Sequence, residues 1–470
     1  MEETTKAMLA RMPLAEAVLW LWRSITGEER MTRLWEANRG RCYQKVISFS
    51  VIVQLMADAL LRYCGSGRRS FEKGVEHGEL EASIQAAYRK LSRLPLQLSE
   101  AFLSDGATML RTMFPRKARR KLPRSLNRFQ VVIMDGKAIK NVAKRLLGLR
   151  RAAGGLLGGR ALVALDWRTG LAVAMRTNAD GHANEVAMVG DLVPEVRTII
   201  AGPRLWLSDR AFCDLTQPAH FKQHGDHYLV RYHPKVKFYP DPERPARSGR
   251  DEQGRMYTEQ WGWLGGPTDK RRQEVRMITL PKVTDGGKKD LVLVTDLLDG
   301  EAYPAADLLA LYAERWGIEN MFQQVTEVFG LQGLIGSTPQ ACLFQFAFCL
   351  LLYDLIQVIR AYVAEAQQRT IEELSSEKLF DDVHEELIAW NVMLDVETTV
   401  NYFEHLPPLE ALQTRLETLL ASPWSNTWLK SPKPKTPRRQ RETKHKRTHD
   451  SVYRLLEKYR RRKRRAVNSS

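Results

Sequence analysis

The sequence predicts an α/β fold: a mixed sheet with helices, interrupted by a β-rich insertion and flanked by helical N- and C-terminal regions. Short apolar runs bounded by turn residues begin at Phe129 and alternate with helical stretches, which is the pattern of an α/β layer. On either side of that part of the chain, apolar residues recur at helical spacing with almost no strand-like alternation.

Residues 1–125 are expected to form a helical domain. Helix formers dominate this range, and AEAVLWLWRSI and ISFSVIVQLMADALLR carry apolar residues at helical spacing. The range ends in the basic segment FPRKARRKLPRSLNR, where prolines break the helical pattern.

Residues 126–232 supply the first part of the sheet. The runs FQVVIMD, RALVALD, GLAVAMRTN, RLWLSD and HYLVRY predict five strands, and HANEVAMVGDLVPEV predicts a helix before the fourth. The connection after the first strand is basic and rich in glycine, so we expect it to be mobile until an anion orders it.

The sheet pattern is interrupted and then resumes. Residues 233–289, rich in Pro, Gly and charge with short strand-like pieces, are expected to be a β-rich insertion. The second part of the layer, 290–360, begins with DLVLVTDLL and continues into one helix from near Pro304 to about Phe329.

The end of the chain carries most of the charge. Residues 361–425 are expected to be helical, and 426–470 to be a basic, disordered tail. Between Lys430 and Ser470 there are 17 Lys or Arg against three acids, so this range supplies +14 of the formal +17. Such a tail favours a polyanionic partner.

Cysteine usage and hydropathy indicate a cytoplasmic protein without a membrane segment. The five cysteines show no C-x-x-C pairing and no secretory leader is recognisable, so we expect free thiols. The most apolar stretch, 341–359, contains Gln345, Asp354 and Gln357, which favour a buried core helix over a membrane span.

Three acids are candidates for chemistry because of their positions. Asp135 and Asp209 end apolar runs, and Glu319 lies on the helix after the last strand. Such carboxylates suit a pair of Mg²⁺ ions, which prefer hard oxygen ligands and leave coordination sites for phosphate and water. On position alone, Asp166 and Asp296 are equally well placed.

The helix carrying Glu319 presents an unusual polar face. At roughly 100° per residue, Tyr312, Arg315, Glu319 and Thr326 fall within an arc of about 60°. The alternative interpretation is an i to i+4 pair, Arg315 to Glu319, on a solvated surface.

The motifs around these acids resemble a known family. VVIMDGKAIK, LSDRAFCD and Tyr312-x₂-Arg315-x₃-Glu319 are similar to DDE transposases of the insertion-sequence-four family, the Tyr-Arg-Glu-Lys signature group, over about residues 130–330. Thr326 stands where that signature has lysine, and offers a hydroxyl but no charge. The resemblance implies a ribonuclease-H-like catalytic core.

The resemblance also assigns roles to residues. It implies that Asp135, Asp209 and Glu319 are the catalytic metal ligands for two Mg²⁺, with Mn²⁺ as a substitute. It implies DNA contacts by a second set of side chains: Lys137, Arg210, Trp261, Trp263, Tyr312, Arg315 and Thr326. For the two tryptophans, a place in the aromatic core of the insertion is an equal alternative.

The function that the resemblance implies is metal-dependent cleavage at insertion-sequence ends and strand transfer to target DNA, by cut and paste through a hairpin intermediate. The expected partner is double-stranded DNA, both terminal inverted repeats and target, bound by a homodimer in a synaptic complex associated with a prokaryotic nucleoid. Residues 29–46 mix basic and apolar positions as a groove-reading element does, so the helical N-terminal domain is expected to bind DNA. Two alternatives stay open: a catalytically impaired, transposase-derived DNA-binding protein, for which Thr326 is the main support, and another ribonuclease-H-like nuclease.

Overall fold

The computed structural model describes residues 9–43, 45–63, 65–281, 283–284, 287–288, 290–394, 396–431 and 449–468. Within the described residues, the range expected to be helical contributes six helices with complete bounds. They are α1 (Pro13–Thr26), α2 (Glu28–Asn38), α3 (Phe49–Leu61), α4 (Gly67–Glu76), α5 (Ile84–Leu91) and α6 (Leu96–Met113). Serine side chains cap three of them, because Ser48, Ser66 and Ser83 each accept a hydrogen bond from a backbone N–H in the first turn.

A mixed sheet follows, as the sequence predicts. Its first strands are β1 (Gln130–Ala138), β3 (Arg160–Asp166), β4 (Leu171–Asn178), β5 (Arg204–Ser208) and β6 (His227–Arg231), while the short β2 (Gly155–Leu157) lies outside this sheet. β3 is antiparallel to β1 and β4, whereas β5 is parallel to β1 and to β6. The spatial order β4-β3-β1-β5-β6 is that of a ribonuclease-H-like core. Helices α7 (Val189–Ile199) and α8 (Pro218–Phe221) connect these strands.

The part of the chain expected to be a β-rich insertion extends the same sheet. Its strands are β7 (Phe238–Pro240), β8 (Arg247–Arg250), β9 (Met256–Leu264), β10 (Gln273–Leu280) and the short β11 (Val283–Thr284) and β12 (Gly287–Lys288). β10 pairs with β13 (Leu291–Thr295), which in turn pairs with β6, so ten strands form one sheet. The insertion is therefore joined to the core through the backbone hydrogen bonds of one continuous sheet.

The helix after β13 differs from the sequence-based expectation of one continuous helix. The structure has α9 (Ala305–Ala313) and α10 (Trp316–Glu327), separated by Glu314 and Arg315. The N–H of Glu314 donates to the carbonyl of Leu311, and the N–H of Arg315 to that of Tyr312, both over three residues. These tighter bonds interrupt the α-helical ladder, so a single helical wheel does not describe this segment.

Helix α11 (Pro339–Ala366) confirms the expectation of a buried core helix. It is long and apolar enough to cross a membrane, with a mean hydropathy of 2.0 in its most apolar window, but that whole window is buried inside the protein. It packs against α6 and β4 and so joins the helical region to the sheet. α12 (Ser376–Met393), α13 (Val396–Tyr402) and α14 (Leu409–Leu420) follow it.

The end of the chain departs from the expected disordered tail over residues 449–468. Here β14 (His449–Ser451) pairs in parallel with β2, and α15 (Val452–Asn468) follows directly. Val452 is fully buried and Leu455 and Leu456 are partly buried, which a count of charges does not reveal. Residues 432–448 of the expected tail lie outside the described residues.

Candidate active site

Two neighbouring parallel strands bring Asp135 and Asp209 to the same edge of the sheet. β1 and β5 are in register with Met134 opposite Ser208, so the two aspartates take the next positions along their strands. The Asp209 carboxylate accepts a hydrogen bond from the N–H of Ala211 at 2.7 Å and so caps a short 3₁₀ turn. The carboxyl ends of parallel strands are where α/β sheets place their functional groups.

Arg315 links the third carboxylate to this edge. Its Nη2 lies 2.7 Å from Glu319 Oε1, and its Nη1 lies 3.6 Å from Asp135 Oδ2. The Arg315 side chain is only 9% exposed, against 35% for Glu319. The i to i+4 pair therefore exists, but it points into the edge of the sheet and not onto a solvated surface.

The three carboxylates are electrostatically coupled. Burial raises the pKa of Asp135 from the ordinary 3.8 to about 6, and the charges of Asp209 and Glu319 act in the same direction. The N–H of Gly136 and the charge of Arg315 lower that pKa. A cation bound at this edge of the sheet would offset both the burial of Asp135 and its repulsion by the two other acids.

The donor set fits a hard divalent ion by its chemistry. Asp135, Asp209 and Glu319 supply carboxylate oxygens, the ligands that Mg²⁺ and Mn²⁺ prefer. Within the described residues, however, no group of three His, Cys, Asp or Glu side chains is close enough to hold a metal. Arg315 stands between two of the carboxylates and supplies the positive charge in this arrangement.

Tyr312 lies at the base of the site. Its hydroxyl donates to the carbonyl of Ser208 at 3.1 Å, the residue directly before Asp209. The side chain is buried, and burial raises the pKa of the phenol. Tyr312 therefore ties α9 to the end of β5.

Lys137 and Thr326 meet at one carbonyl oxygen. Lys137 Nζ lies 3.5 Å from the carbonyl oxygen of Phe322, and Thr326 Oγ1 donates to the same atom at 2.6 Å. Lys137 is two residues beyond Asp135 on β1, so both side chains leave the same face of the strand. Burial lowers the pKa of the Lys137 ammonium, as does the charge of Lys140. An ammonium group thus lies beside Thr326, although residue 326 itself carries no charge.

The remaining predicted DNA contacts lie in different surroundings. Arg210 is exposed on the turn that Asp209 caps. Trp263 is half-buried with the Arg272 guanidinium 4.2 Å from its ring centre. Trp261 is only 6% exposed and donates Nε1–H to the carbonyl of Leu298 at 2.7 Å, a placement that favours the aromatic-core alternative.

The two competing aspartates have structural partners. Asp166 is 1% exposed in its side chain and pairs with Arg111 at 2.9 Å. Asp296 accepts hydrogen bonds from the N–H of Tyr228 at 2.9 Å and contacts His227 Nδ1 at 3.0 Å. Their positions at strand ends resemble those of Asp135 and Asp209, but their carboxylates are already engaged.

The sequence analysis gives no role to two residues beside the site. Trp316, directly after Arg315, is 60% exposed, which is unusual for tryptophan. Glu185 lies behind β1: a Cβ on Gly136 would come 2.0 Å from its Oε2, so the Glu185 side chain would have to shift for any other residue to follow Asp135. The exposure of Trp316 was not predicted because the segment was expected to be one continuous helix. The position of Glu185 behind β1 was not predicted because it depends on a contact between residues distant in sequence.

Comparisons with known proteins give one family match and one structural likeness. Residues 127–355 match the model of a protein family described as "Transposase DDE domain". None of the curated proteins matches the chain. Among solved structures, the fold is similar to one titled "Cryo-EM structure of piggyBac transposase synaptic complex with hairpin DNA", at 10% identity and a TM-score of 0.41, covering 83% of this chain and 85% of that one. The family match begins just before β1, ends inside α11, and includes all three carboxylates.

Proposed function

We propose that this protein is a DDE transposase of the insertion-sequence-four type, which cleaves DNA at the ends of an insertion sequence and transfers the strands to target DNA. The observation that carries the proposal is the coupling of Asp135, Asp209 and Glu319 at one sheet edge through Arg315 and through the raised pKa of Asp135. The segment that matches the transposase DDE domain contains all three.

Asp135, Asp209 and Glu319 would hold the divalent ions. Two such ions supply an activated water or 3′-hydroxyl and stabilise the leaving oxygen in an in-line displacement at phosphorus. In the first reaction, a water oxygen bonds to phosphorus as the bond to the 3′ oxygen breaks, and that oxygen leaves as a 3′-hydroxyl. In the second, the 3′-hydroxyl oxygen bonds to the phosphorus of another phosphodiester, on the opposite strand to form a hairpin or on target DNA. The bond from that phosphorus to the 3′ oxygen of the attacked strand breaks, and this oxygen leaves as a new 3′-hydroxyl.

The cationic side chains of the site would bind the DNA backbone. Arg315 now pairs with Asp135 and Glu319, so its planar fork becomes available to a phosphate once those carboxylates ligate metal. Lys137 adds a second cation on the same face of β1 as Asp135. Tyr312 acts mainly as a positioning residue, because its hydroxyl is bonded to Ser208.

The Tyr312, Arg315, Glu319 and Thr326 series supports assignment to the Tyr-Arg-Glu-Lys group with one substitution. The proposed partners are the terminal inverted repeats and target DNA, bound by a homodimer that joins two ends in one synaptic complex. We propose that the protein works in the cytoplasm of a prokaryote, at the nucleoid, which agrees with four free cysteines among the described residues.

The test is a cleavage assay on DNA that contains the protein's own gene with flanking sequence. Purified protein is incubated with Mg²⁺ or Mn²⁺, and the 3′ ends are mapped for the wild type and for Glu319→Gln. We expect discrete breaks at a pair of inverted repeats with wild type and none with the variant. Breaks that persist in Glu319→Gln would contradict the assigned trio.

A transposase-derived protein that binds DNA without cutting it is the second candidate. The observation in its favour is the Thr326 hydroxyl, which donates to its own helix and brings no charge to a phosphate. Tight DNA binding with no breaks in either protein would select this candidate. A third candidate, another ribonuclease-H-like nuclease such as a junction resolvase, predicts cleavage of branched DNA without dependence on inverted repeats.

A further inference from the structure

The last described segment is a strongly basic helix that is held against the catalytic sheet. α15 contains eight Lys or Arg residues and one acid, Glu457. All residues from Lys458 to Val467 are exposed. A flexible polybasic tail needs no defined position, whereas this helix has one.

Two kinds of contact anchor its N-terminal end. β14 pairs in parallel with β2 from His449 opposite Gly155 to Ser451 opposite Leu157. The Ser451 hydroxyl accepts a hydrogen bond from the N–H of Gly181 at 3.2 Å. These contacts bring together segments some 270 residues apart, so they depend on the folded core.

An ion pair and an apolar face hold the helix itself. Arg454 Nε lies 2.7 Å from Asp180 Oδ2. Leu456 and Tyr459 lie over Gly148, where an added Cβ would come 3.1 Å from Tyr459 Cβ and 3.3 Å from Leu456 Cδ2. On this surface, a side chain at position 148 would therefore be crowded against the helix.

This surface is continuous with the strand that carries Asp135. The N–H of Gly158 donates to the carbonyl of Ile139 at 2.8 Å, and the N–H of Ile139 to that of Gly159 at 3.0 Å. These bonds tie the end of the basic, glycine-rich segment that follows β1 to Ile139, the first residue after that strand. Helix α15 thus packs on the segment that follows β1, and this segment begins at Ile139, four residues beyond Asp135.

The face of α15 opposite its docking face is cationic. At roughly 100° per residue, Lys458, Arg461 and Arg465 fall within about 60° and extend over about 10 Å of helix. The segment under the helix adds basic residues of its own, namely Lys144, Arg145, Arg150 and Arg151. Evenly spaced cations along a rigid helix match a regular polyanion better than the irregular acids of a protein surface.

We propose that α15 is a docked element that binds the phosphate backbone of duplex DNA next to the active site, and that its fixed position, in addition to its charge, is what contributes affinity. The proposal rests on the function proposed above. In this proposal, α15 is part of the DNA-binding surface around the active site and does not act as a free tether.

The first test removes charge at constant structure. The triple variant Lys458→Gln, Arg461→Gln, Arg465→Gln is compared with Lys458→Arg, Arg461→Lys, Arg465→Lys, both in a full-length Glu319→Gln chain so that no DNA is cut. Binding to a short duplex is measured by fluorescence anisotropy between about 50 and 200 mM salt. We expect the neutral triple to lose on the order of 100-fold in affinity near 150 mM salt and to lower the salt slope by about 2 to 3, because each phosphate contact contributes about 0.9. The charge-conserving triple should bind as the parent does.

The second test removes docking at constant charge. Gly148→Leu places a side chain where α15 packs, so we expect the helix to leave its support and affinity for the duplex to fall on the order of tenfold. Circular dichroism and the unfolding temperature establish that the rest of the chain remains folded. If Gly148→Leu is destabilised throughout, Asp180→Asn with Arg454→Gln weakens the anchor from the opposite side without changing net charge.

The outcomes separate this proposal from the proposed function. If the triple Gln variant loses affinity for DNA but Gly148→Leu does not, the fixed position of α15 contributes nothing to binding. The end of the chain would then act only as a polybasic tether. An unchanged slope in the neutral triple overturns the DNA-binding role of α15, while metal-dependent cleavage by the unmodified chain still supports the transposase. Tighter binding to a single-stranded RNA of equal length than to the duplex also overturns the proposal.

Discussion

Asp135 and Asp166 lie on the paired antiparallel strands β1 and β3. Because their surroundings differ, we expect replacement of Asp135 by asparagine to stabilise the protein and replacement of Asp166 to destabilise it. Burial raises the pKa of Asp135 to about 6, so the folded state holds the proton more tightly than the unfolded state does. The contribution of Asp135 to the free energy of unfolding is fully present below pH 3.8, the pKa of the unfolded state. This contribution is lost as the pH rises through about 6. This shift of about 2 units already includes the opposing charge of Arg315 and corresponds to a destabilisation of at most about 3 kcal/mol at neutral pH.

We therefore predict that Asp135→Asn abolishes cleavage and raises the metal-free unfolding temperature by a few degrees near pH 7.5, on the order of 2 to 5 °C, with no rise near pH 4. Asp166→Asn is the matched control: it weakens a buried pair with Arg111 and should lower the unfolding temperature at both pH values. The unfolding temperatures of the wild type, Asp135→Asn and Asp166→Asn are measured by circular dichroism during heating. Equal effects of the two substitutions would show that Asp135 is an ordinary structural acid.

Lys137 supports a second prediction at this scale. It is half-buried between Asp135 and Thr326, so its ammonium can contact a phosphate at the site. Lys137→Gln should lower the cleavage rate about 10- to 100-fold, the range of a charge-assisted hydrogen bond, without lowering the unfolding temperature. Lys140→Gln, an exposed lysine three residues further along, is the control and should have a small effect.

Because Lys137 and Thr326 reach the same carbonyl, Thr326→Lys in the Lys137→Gln background should restore much of the lost rate. Single-turnover cleavage of a DNA end compares the four proteins. If Lys137→Gln and Lys140→Gln cleave equally fast, Lys137 has no special part in binding the scissile region.

At the scale of elements, the break between α9 and α10 exposes Trp316. At this break Arg315 turns inward, whereas the Trp316 indole is 60% exposed. Aromatic rings stack on unpaired bases with about 1–3 kcal/mol per base. We predict that Trp316→Ala weakens binding of a DNA end with unpaired bases by about 5- to 100-fold and hardly changes binding of a closed duplex.

Trp424, on the C-terminal side of the fold, serves as the control for that prediction. It is half-buried with Arg369 5.4 Å from its ring centre, and it lies far along the chain from the site residues. Trp424→Ala should leave both binding constants unchanged. Equal losses on open and closed DNA ends in Trp316→Ala would argue against base stacking.

Helix α12 caps α1 across the helical region, and this contact responds to pH. Glu386 accepts hydrogen bonds from the N–H groups of Leu14 at 2.9 Å and Ala15 at 3.0 Å, at the start of α1. Burial nevertheless raises the pKa of Glu386 to about 7, while those two hydrogen bonds act in the opposite direction. For an acid whose pKa is raised on folding, stability falls as pH rises from about 4.5 to about 7.

Glu386→Gln keeps an acceptor oxygen and removes the titration. We predict that the variant gains stability relative to wild type between pH 5 and pH 8, measured as the difference in unfolding temperature at each pH. Glu385→Gln, its exposed neighbour, should show no such pH-dependent gain. A constant difference for Glu386→Gln across that range would refute the assigned pKa.

For the whole molecule, sequence patterns predict the sheet, the core helix and the edge position of Asp135 and Asp209, because these depend on local apolar runs and turns. They do not predict that Arg315 bridges two carboxylates, since that geometry arises from a helix break and from packing of α10 on β1. They also miss the docking of α15, which depends on a strand pair between residues nearly 300 positions apart. Contacts distant in sequence are specified by the assembled core and leave no periodic signal.

Packing across α11 leads to a prediction for the molecule as a unit. Phe344 and Phe348 of α11 lie 5.6 and 6.0 Å from Phe102 of α6, measured between ring centres. A Cβ on Gly106 of α6 would come 2.7 Å from Leu351 Cδ2, so the two helices are in close contact. A chain limited to residues 127–355 ends inside α11 and lacks α6 altogether.

We predict that such a chain does not fold cooperatively, although it contains the whole matched domain and all three carboxylates. Without α6, the apolar face of α11 is open to water, and large exposed apolar surfaces favour aggregation over a native state. Circular dichroism melting and binding of a hydrophobic dye compare this chain with one spanning residues 9–431, which keeps α6 and all of α11. A sharp thermal transition and no dye binding in the shorter chain would mean that the catalytic sheet is an independent domain and that the helical region only adds to it.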